Sequence, residues 1–139
     1  MTTKEIKWTM FVITAVGNVI AMLDSTTVNL ALYPMSVDLH VTMGQIQWVM
    51  IAYMLVLTVF LPFFGKLGDI FPKNKLYMTG FSMFALGALL NTTAHNFGLL
   101  IAYRCLEALG ASIMLSNAQA IITTIFKNER RGKALGLNG

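Results

Sequence analysis

The chain has 139 residues, of which 56% are apolar and only 12% carry a charged side chain. Soluble domains have about 25% charged residues, so the composition excludes an ordinary soluble enzyme and favours an integral membrane protein. The apolar residues lie in runs of about 20, the length that crosses about 30 Å of hydrocarbon. The net charge of +4 comes from basic residues confined to a few short segments, which indicates membrane topology rather than nucleic-acid binding.

Four apolar runs are predicted to form transmembrane helices, at about 8–33, 46–64, 76–94 and 99–126. Pro34 is expected to end the first helix. The fourth run is longer than a span requires, so we expect it to tilt or to project into the cytoplasm. A basic segment, 127–133, follows it, and residues 134–139 look like the start of a fifth apolar run.

The basic residues predict the orientation of the chain. Nine of the ten lie before the first run, between the second and third, or after the fourth, and the other two loops have none. Lys and Arg accumulate in cytoplasmic loops, so both termini are predicted to be cytoplasmic. These nine residues are Lys4, Lys7, Lys66, Lys73, Lys75, Lys127, Arg130, Arg131 and Lys133.

Three charged residues, Asp24, Arg104 and Glu107, lie inside apolar runs. Each raises the free energy of membrane insertion by about 2.5–3.5 kcal/mol at the membrane centre, whereas one leucine lowers it by only about 0.3–0.6 kcal/mol. Such residues normally face a protein interior or a watery cavity and have partners. We therefore predict that these three residues form the functional site.

The depths of these charges are compatible with contact. Asp24 lies about 24 Å from the inner end of its run and Arg104 about 9 Å from the outer end of its run, which places both in the outer half of the membrane. Glu107 is one helical turn deeper than Arg104 on the same face. It either forms a local ion pair that lets the helix insert, or lines a cavity as a proton- or substrate-linked charge. A low-dielectric site favours a neutral carboxyl, so Glu107 could exchange a proton near neutral pH.

A short polar stretch, 65–75, separates the second and third runs. Gly65 and Gly68 are predicted to let helices two and three approach closely, and Pro72 to force a turn. Cys105, the single cysteine, lies in an apolar run and is predicted to be structural. The sequence has no metal-binding cysteine and histidine spacing, no phosphate-binding glycine loop and no nucleophilic serine motif, so we expect neither an enzyme nor a bound cofactor.

Other polar and aromatic residues are weaker candidates. Asn29, Trp48 and Tyr53 are possible cavity-lining residues, although Trp48 also suits an interfacial anchor. The polar group Ser25, Thr26, Thr27 and Asn29 could equally line a cavity or bond neighbouring helices. The glycines at 80, 87 and 110 favour close helix packing.

Three segments resemble motifs of the major facilitator superfamily. Residues 23–34 are similar to the first-span motif of its drug:proton antiporters, especially the fourteen-span branch. The fourth run is similar to the fourth-span motif through Arg104, Glu107, Gly110 and Ala111. The stretch between runs two and three is similar to the superfamily's signature through Gly65, Leu67, Gly68, Asp69, Phe71, Lys73 and Lys75.

The matches cover nearly the whole chain in order. The chain departs from the family's motifs at Ile70, Pro72, Glu107 and Ala108, and Gln is common in the family at the position of Glu107.

The resemblance implies a fold and a mechanism. It implies an all-α bundle whose two halves rock around a central site, with a proton gradient as the coupling agent. It implies that Asp24 and Arg104 are cavity residues tied to proton coupling, and that Asp69 and Lys73 belong to a cytoplasmic gate. It implies efflux of drugs or other small amphiphilic compounds across a bacterial plasma membrane.

Members of this superfamily have twelve or fourteen spans. Residues 1–139 therefore correspond to the N-terminal part of one transporter domain, and we expect the chain to need the remaining spans, or another copy, for activity. Two alternatives stay open. One is a small four-span exporter that acts as a parallel dimer, because the one-sided basic residues argue against dual topology. The other is a scaffold or regulatory fragment that associates with a full-length relative.

Overall fold

A computed structural model describes residues 3–125, with side chains described for residues 11–118 and for Ile121. These residues form four helices, α1 (Thr3–Asp38), α2 (Met43–Ile70), α3 (Lys73–Asn91) and α4 (Phe97–Ile125), and no strand occurs among them. The predicted all-α class is confirmed. The basic segment 127–133 and the predicted start of a fifth span lie outside the described residues.

Three of the helices within residues 3–125 are long and apolar enough to cross a membrane by length and composition. They contain the segments Phe11–Asp38, Met43–Ile70 and Phe97–Ala118. The third predicted span corresponds to α3, whose 19 residues extend about 28 Å, close to the thickness of the hydrocarbon core. Its first turn carries two basic residues, Lys73 and Lys75.

The prediction that Pro34 ends the first helix is wrong, because α1 continues through it to Asp38. The missing N–H of Pro34 costs the helix one hydrogen bond, to the Leu30 carbonyl, and the remaining bonds of the ladder carry the helix past it. The helix ends where His40 adopts a left-handed φ of 52°. A reciprocal capping box between Thr42 and Gln45 then starts α2.

The predicted polar hinge at 65–75 is also mostly helical. Helix α2 runs through both glycines to Ile70, and α3 begins at Lys73, so only Phe71 and Pro72 connect them. Neither Gly65 nor Gly68 has a positive φ, and glycine remains compatible with a helix at a modest energetic cost. Pro72 immediately precedes α3, where its missing N–H breaks no helical hydrogen bond.

Helix α4 is the centre of the bundle. It contacts the other three helices, α3 and α2 most extensively. Half of its apolar segment is buried, against 17% for α1 and 11% for α2. Its approach to α3 depends on small residues, since a Cβ on Gly80 would lie 2.8 Å from the Ile113 Cβ and one on Gly110 would lie 2.7 Å from the Gly80 carbonyl. The predicted packing role of these glycines is confirmed.

Candidate functional site

Arg104 joins two carboxylates inside the bundle. Its Nη1 atom donates a 2.8 Å hydrogen bond to Asp24 Oδ2 and a 2.7 Å hydrogen bond to Glu107 Oε2. The Arg104 side chain is only 3% exposed. The structure therefore brings together the three charged residues identified in the apolar runs, and the ion pair with Asp24 connects α1 to α4.

The two carboxylates differ in their surroundings. The Glu107 side chain is fully buried, whereas 21% of the Asp24 side chain is exposed. Glu107 points toward α3, where the amide Nδ2 of Asn91 donates a 2.6 Å hydrogen bond to Glu107 Oε2. Asp24 is thus the accessible carboxylate of the cluster and Glu107 the enclosed one.

Tyr53 of α2 completes the cluster. The guanidinium carbon of Arg104 lies 5.3 Å from the centre of the Tyr53 ring, a distance at which the ring attracts the cation. Tyr53 is itself buried, so its ring lies inside the bundle, and its possible role in lining a cavity stays a prediction. All four helices contribute to one site, through Asp24, Tyr53, Asn91 and the Arg104–Glu107 pair.

The structure does not bring every predicted cavity residue to this cluster. Asn29 and Trp48 are exposed on the outer faces of α1 and α2 within the described chain. The hydroxyls of Thr26 and Thr27 donate to carbonyls of their own helix, at Met22 and Leu23, and not to a neighbouring helix. These hydroxyls are therefore satisfied without a partner from elsewhere.

The glycines of the predicted gate have a different partner from the one expected. A Cβ on Gly68 would collide with the Asn117 side chain of α4, whereas nothing lies within 4 Å of a Cβ on Gly65. The prediction that both glycines bring α2 close to α3 is wrong, because α2 contacts α4 far more extensively than α3 and Gly68 itself lies against α4. Asp69 is exposed, and no ion pair joins it to Lys73 in the part of the chain that the structure describes.

Sequence reasoning missed some polar contacts. Asn91 is a lone amide near the end of an apolar run, 16 residues before Glu107, and no spacing rule connects the two. The hydroxyl of Tyr77 donates a 3.2 Å hydrogen bond to the Ile13 carbonyl and lies against Gly17, which joins α3 to the inner half of α1. Asn91 could have been singled out in the same way as the charged residues, because it is a polar side chain in an apolar run.

A cavity of about 440 Å³ lies on the inner side of the charge cluster, between α1, α2 and α4. Its size falls within the usual range of about 300–1,000 Å³ for small-molecule sites. It is lined by Asn18, Leu61, Pro62, Gly65, Leu115 and Ser116. Its lining therefore combines apolar side chains with an amide and a hydroxyl group.

A bundle of apolar helices with a buried cluster of charges is typical of membrane transporters. The family model of the Major Facilitator Superfamily matches residues 14–139, so the chain belongs to this superfamily. Its members are transporters and not enzymes, which confirms both the family resemblance and the expectation that the chain is not an enzyme.

Curated relatives share this segment. The riboflavin transporter RibZ of Clostridioides difficile is 39% identical to the chain, covering 96% of the chain and 29% of that transporter. The puromycin resistance protein pur8 of Streptomyces alboniger is 32% identical, over 96% of the chain and 27% of that protein. Multidrug resistance protein 3 of Bacillus subtilis is 29% identical, over 88% of the chain and 24% of that protein. The chain thus spans less than a third of these relatives, and no solved structure matches it.

Proposed function

We propose that the chain supplies the first spans of a proton-coupled exporter of drugs or other small amphiphilic compounds in a bacterial plasma membrane. The observation that carries this proposal is the buried Arg104, whose guanidinium is shared by Asp24 and Glu107. Membership of a transporter superfamily and two relatives named for drug resistance support it.

Charge balance is the basis of the proposed coupling. With both carboxyls ionised, the cluster of Asp24, Arg104 and Glu107 carries one negative charge more than its single guanidinium neutralises. In a low-dielectric site this excess favours uptake of one proton or of one cationic group. Because the Asp24 contact joins α1 to α4, loading and unloading the cluster alters an interhelical bond, which is the kind of two-state contact that alternating access requires.

Substrate binding is assigned to the face beside Asp24 and to the cavity below it. Asn29 and Trp48 lie on exposed helix faces, where they would line a cavity completed by the remaining spans or by another copy. The residues of the proposed cytoplasmic gate are Gly65, Gly68, Asp69, Lys73 and Lys75. The contact of Gly68 with Asn117 supports a tightly packed inner end of α2 and α4.

Transport of riboflavin is a second candidate function. It is favoured by the 39% identity to a protein named as a riboflavin transporter, against 32% and 29% for the two resistance proteins. Riboflavin is uncharged near neutral pH, so its transport would not require the cluster to bind a cationic substrate. Parallel assays with riboflavin, puromycin and a lipophilic cationic dye distinguish the two functions.

Transport should be measured in proteoliposomes with an imposed pH gradient. One preparation contains the 139-residue chain, and a second contains a chimera in which the chain replaces the matching 133 residues of RibZ. We expect gradient-driven transport by the chimera, and loss of the gradient dependence in Asp24→Asn. Asp38→Asn is the matched control, because Asp38 is an exposed carboxylate at the end of the same helix.

The outcomes separate the alternatives. Transport by the chimera but not by the chain alone indicates that the remaining spans are needed, whereas transport by the chain alone indicates a small exporter that assembles from copies. A chimera that is correctly inserted but moves none of the three compounds, with or without the gradient, contradicts the proposal and favours a scaffold or regulatory role.

A further inference from the structure

Two buried oxygen atoms at the charge cluster accept no hydrogen bond from the residues that the structure describes. Glu107 Oε1 and Asn91 Oδ1 are both enclosed and have no partner among the residues that the structure describes. A carboxylate oxygen and an amide oxygen can only accept hydrogen bonds, so the two atoms cannot satisfy each other. Leaving a buried acceptor unpaired destabilises the folded state, because the group loses its hydrogen bonds to water and gains none in the protein. Both atoms belong to the two groups already joined by the 2.6 Å bond from Asn91 Nδ2 to Glu107 Oε2.

One added proton would provide the donor that the two unpaired oxygens lack. A planar carboxylic acid that faces a planar amide can form two hydrogen bonds in parallel, since the amide N–H donates to one acid oxygen and the acid O–H donates to the amide oxygen. The first of these bonds is present. A proton on Glu107 Oε1 supplies the donor for the second and leaves neither oxygen unpaired.

Charge balance places the proton on the same residue. Glu107 is surrounded by Asp24 from α1, Asn91 from α3 and Arg104 from α4, and the Tyr53 ring of α2 lies against Arg104. Only one of the two carboxylates is needed to neutralise the guanidinium. An ionised group is most costly where it is most enclosed, and the Glu107 side chain is 0% exposed against 21% for Asp24.

We propose that Glu107 holds a proton on Oε1 and donates it to Asn91 Oδ1, with Asn91 as the residue that positions the acid. The proton comes from water and adds to the ionised carboxylate, and its release restores the carboxylate. Asp24 and Arg104 then form the remaining, electrically balanced ion pair. The inference deepens the proposed function, on which the use of this proton for transport rests.

Infrared spectroscopy tests the assignment without a transport assay. The 139-residue chain, in lipid nanodiscs at neutral pH, is prepared unlabelled and with ¹³C in the side-chain carboxyl of glutamate or of aspartate. We expect a carbonyl band of a protonated carboxylic acid that shifts with labelled glutamate, does not shift with labelled aspartate, and is absent from Glu107→Gln. That variant removes the acid but keeps a neutral side chain of the same shape, so the fold should persist.

Variants at Asn91 test its positioning role. Asn91→Leu removes both parallel hydrogen bonds, so the acid band should move to higher frequency. Asn91→Gln keeps an amide, so its band should lie closer to that of the parent chain. Thr92→Val is the matched control, because the neighbouring Thr92 hydroxyl bonds only the Leu89 carbonyl of its own helix and should leave the band unchanged. If Asn91→Leu does not fold, Asn91→Ser is used in its place.

Three results would overturn the assignment. The first is the absence of a protonated carboxyl at neutral pH, and the second is a band that shifts with labelled aspartate. The third is a band from Glu107 that is identical in folded Asn91→Leu or Asn91→Ser and in the parent chain. None of these results depends on transport, so failure of this assignment and failure of the proposed function can be told apart.

Discussion

Gly87 lies directly against the backbone of Glu107. A Cβ on Gly87 would be 2.7 Å from the Glu107 Cβ and 2.8 Å from its backbone nitrogen. This contact presses α3 onto α4 at the level of the charge cluster. It excludes water and lipid from one side of Glu107, which explains why that carboxyl is enclosed while Asp24 is not.

Replacing Gly87 by alanine is therefore expected to separate α3 from α4. Atoms this close must shift to admit a methyl group, and overpacking of this kind costs about 1–3 kcal/mol. The free energy of unfolding in mixed micelles measures the effect. Gly65→Ala is the control, because nothing lies within 4 Å of its added methyl group and alanine is the better helix former. Equal destabilisation of the two variants would contradict the packing role of Gly87.

Removal of the Arg104 guanidinium should destabilise the chain more than removal of an exposed cation. Arg104→Gln leaves Asp24 and Glu107 together without a positive charge, and breaking a buried ion pair costs about 3–5 kcal/mol. Lys66→Gln, on the exposed face of α2, should change the unfolding free energy by about 0.5 kcal/mol or less. If the two variants unfold alike, the cluster does not stabilise the bundle.

Tyr53 should act through its ring rather than through its hydroxyl. Tyr53→Phe keeps an aromatic face under the guanidinium of Arg104, whereas Tyr53→Leu removes it and should cost about 0.5–2 kcal/mol beyond the change in buried area. The difference in unfolding free energy between the two variants measures this contribution. It should disappear in an Arg104→Gln background, and persistence of the difference there would show that packing alone is responsible.

The contact between Gly68 and Asn117 predicts a rescue. Gly68→Ala should push α2 away from α4, because the new methyl group collides with the Asn117 side chain. Asn117→Ala removes the obstacle, so the double variant should be less destabilised than the sum of the single variants by about 0.5–3 kcal/mol. Strict additivity of the three unfolding free energies would exclude a direct contact.

The predicted orientation can be tested with cysteines placed in the connections. In a Cys105→Ser background, a membrane-impermeant thiol reagent should label Thr93→Cys in intact cells, and Asn74→Cys only after permeabilisation. Both positions are exposed in the structure, so access depends on the side of the membrane and not on burial. The reverse labelling pattern would contradict the inference from the basic residues.

The sequence was sufficient to predict the helical class and to single out the three charges, because apolar runs of about 20 residues have few alternatives to a membrane helix and charges inside them normally have partners. It showed that a contact between Asp24 and Arg104 was possible, but not that it forms. The contribution of Asn91 was not predictable, because an amide has many acceptable partners. The partner of Gly68 was not predictable either, since a glycine indicates close approach without identifying the neighbouring helix.

The Asp24–Arg104 bond has a consequence for biogenesis. Its two residues are 80 positions apart, so α1 emerges from the ribosome and meets the membrane well before α4 has been synthesised. During that interval Asp24 has no cation to pair with, and insertion machinery, headgroups or water must shield it. Asp24 therefore gains its cationic partner only when α4 is present, and a chain stopped before Arg104 would leave a charged first span as a substrate for quality-control proteases.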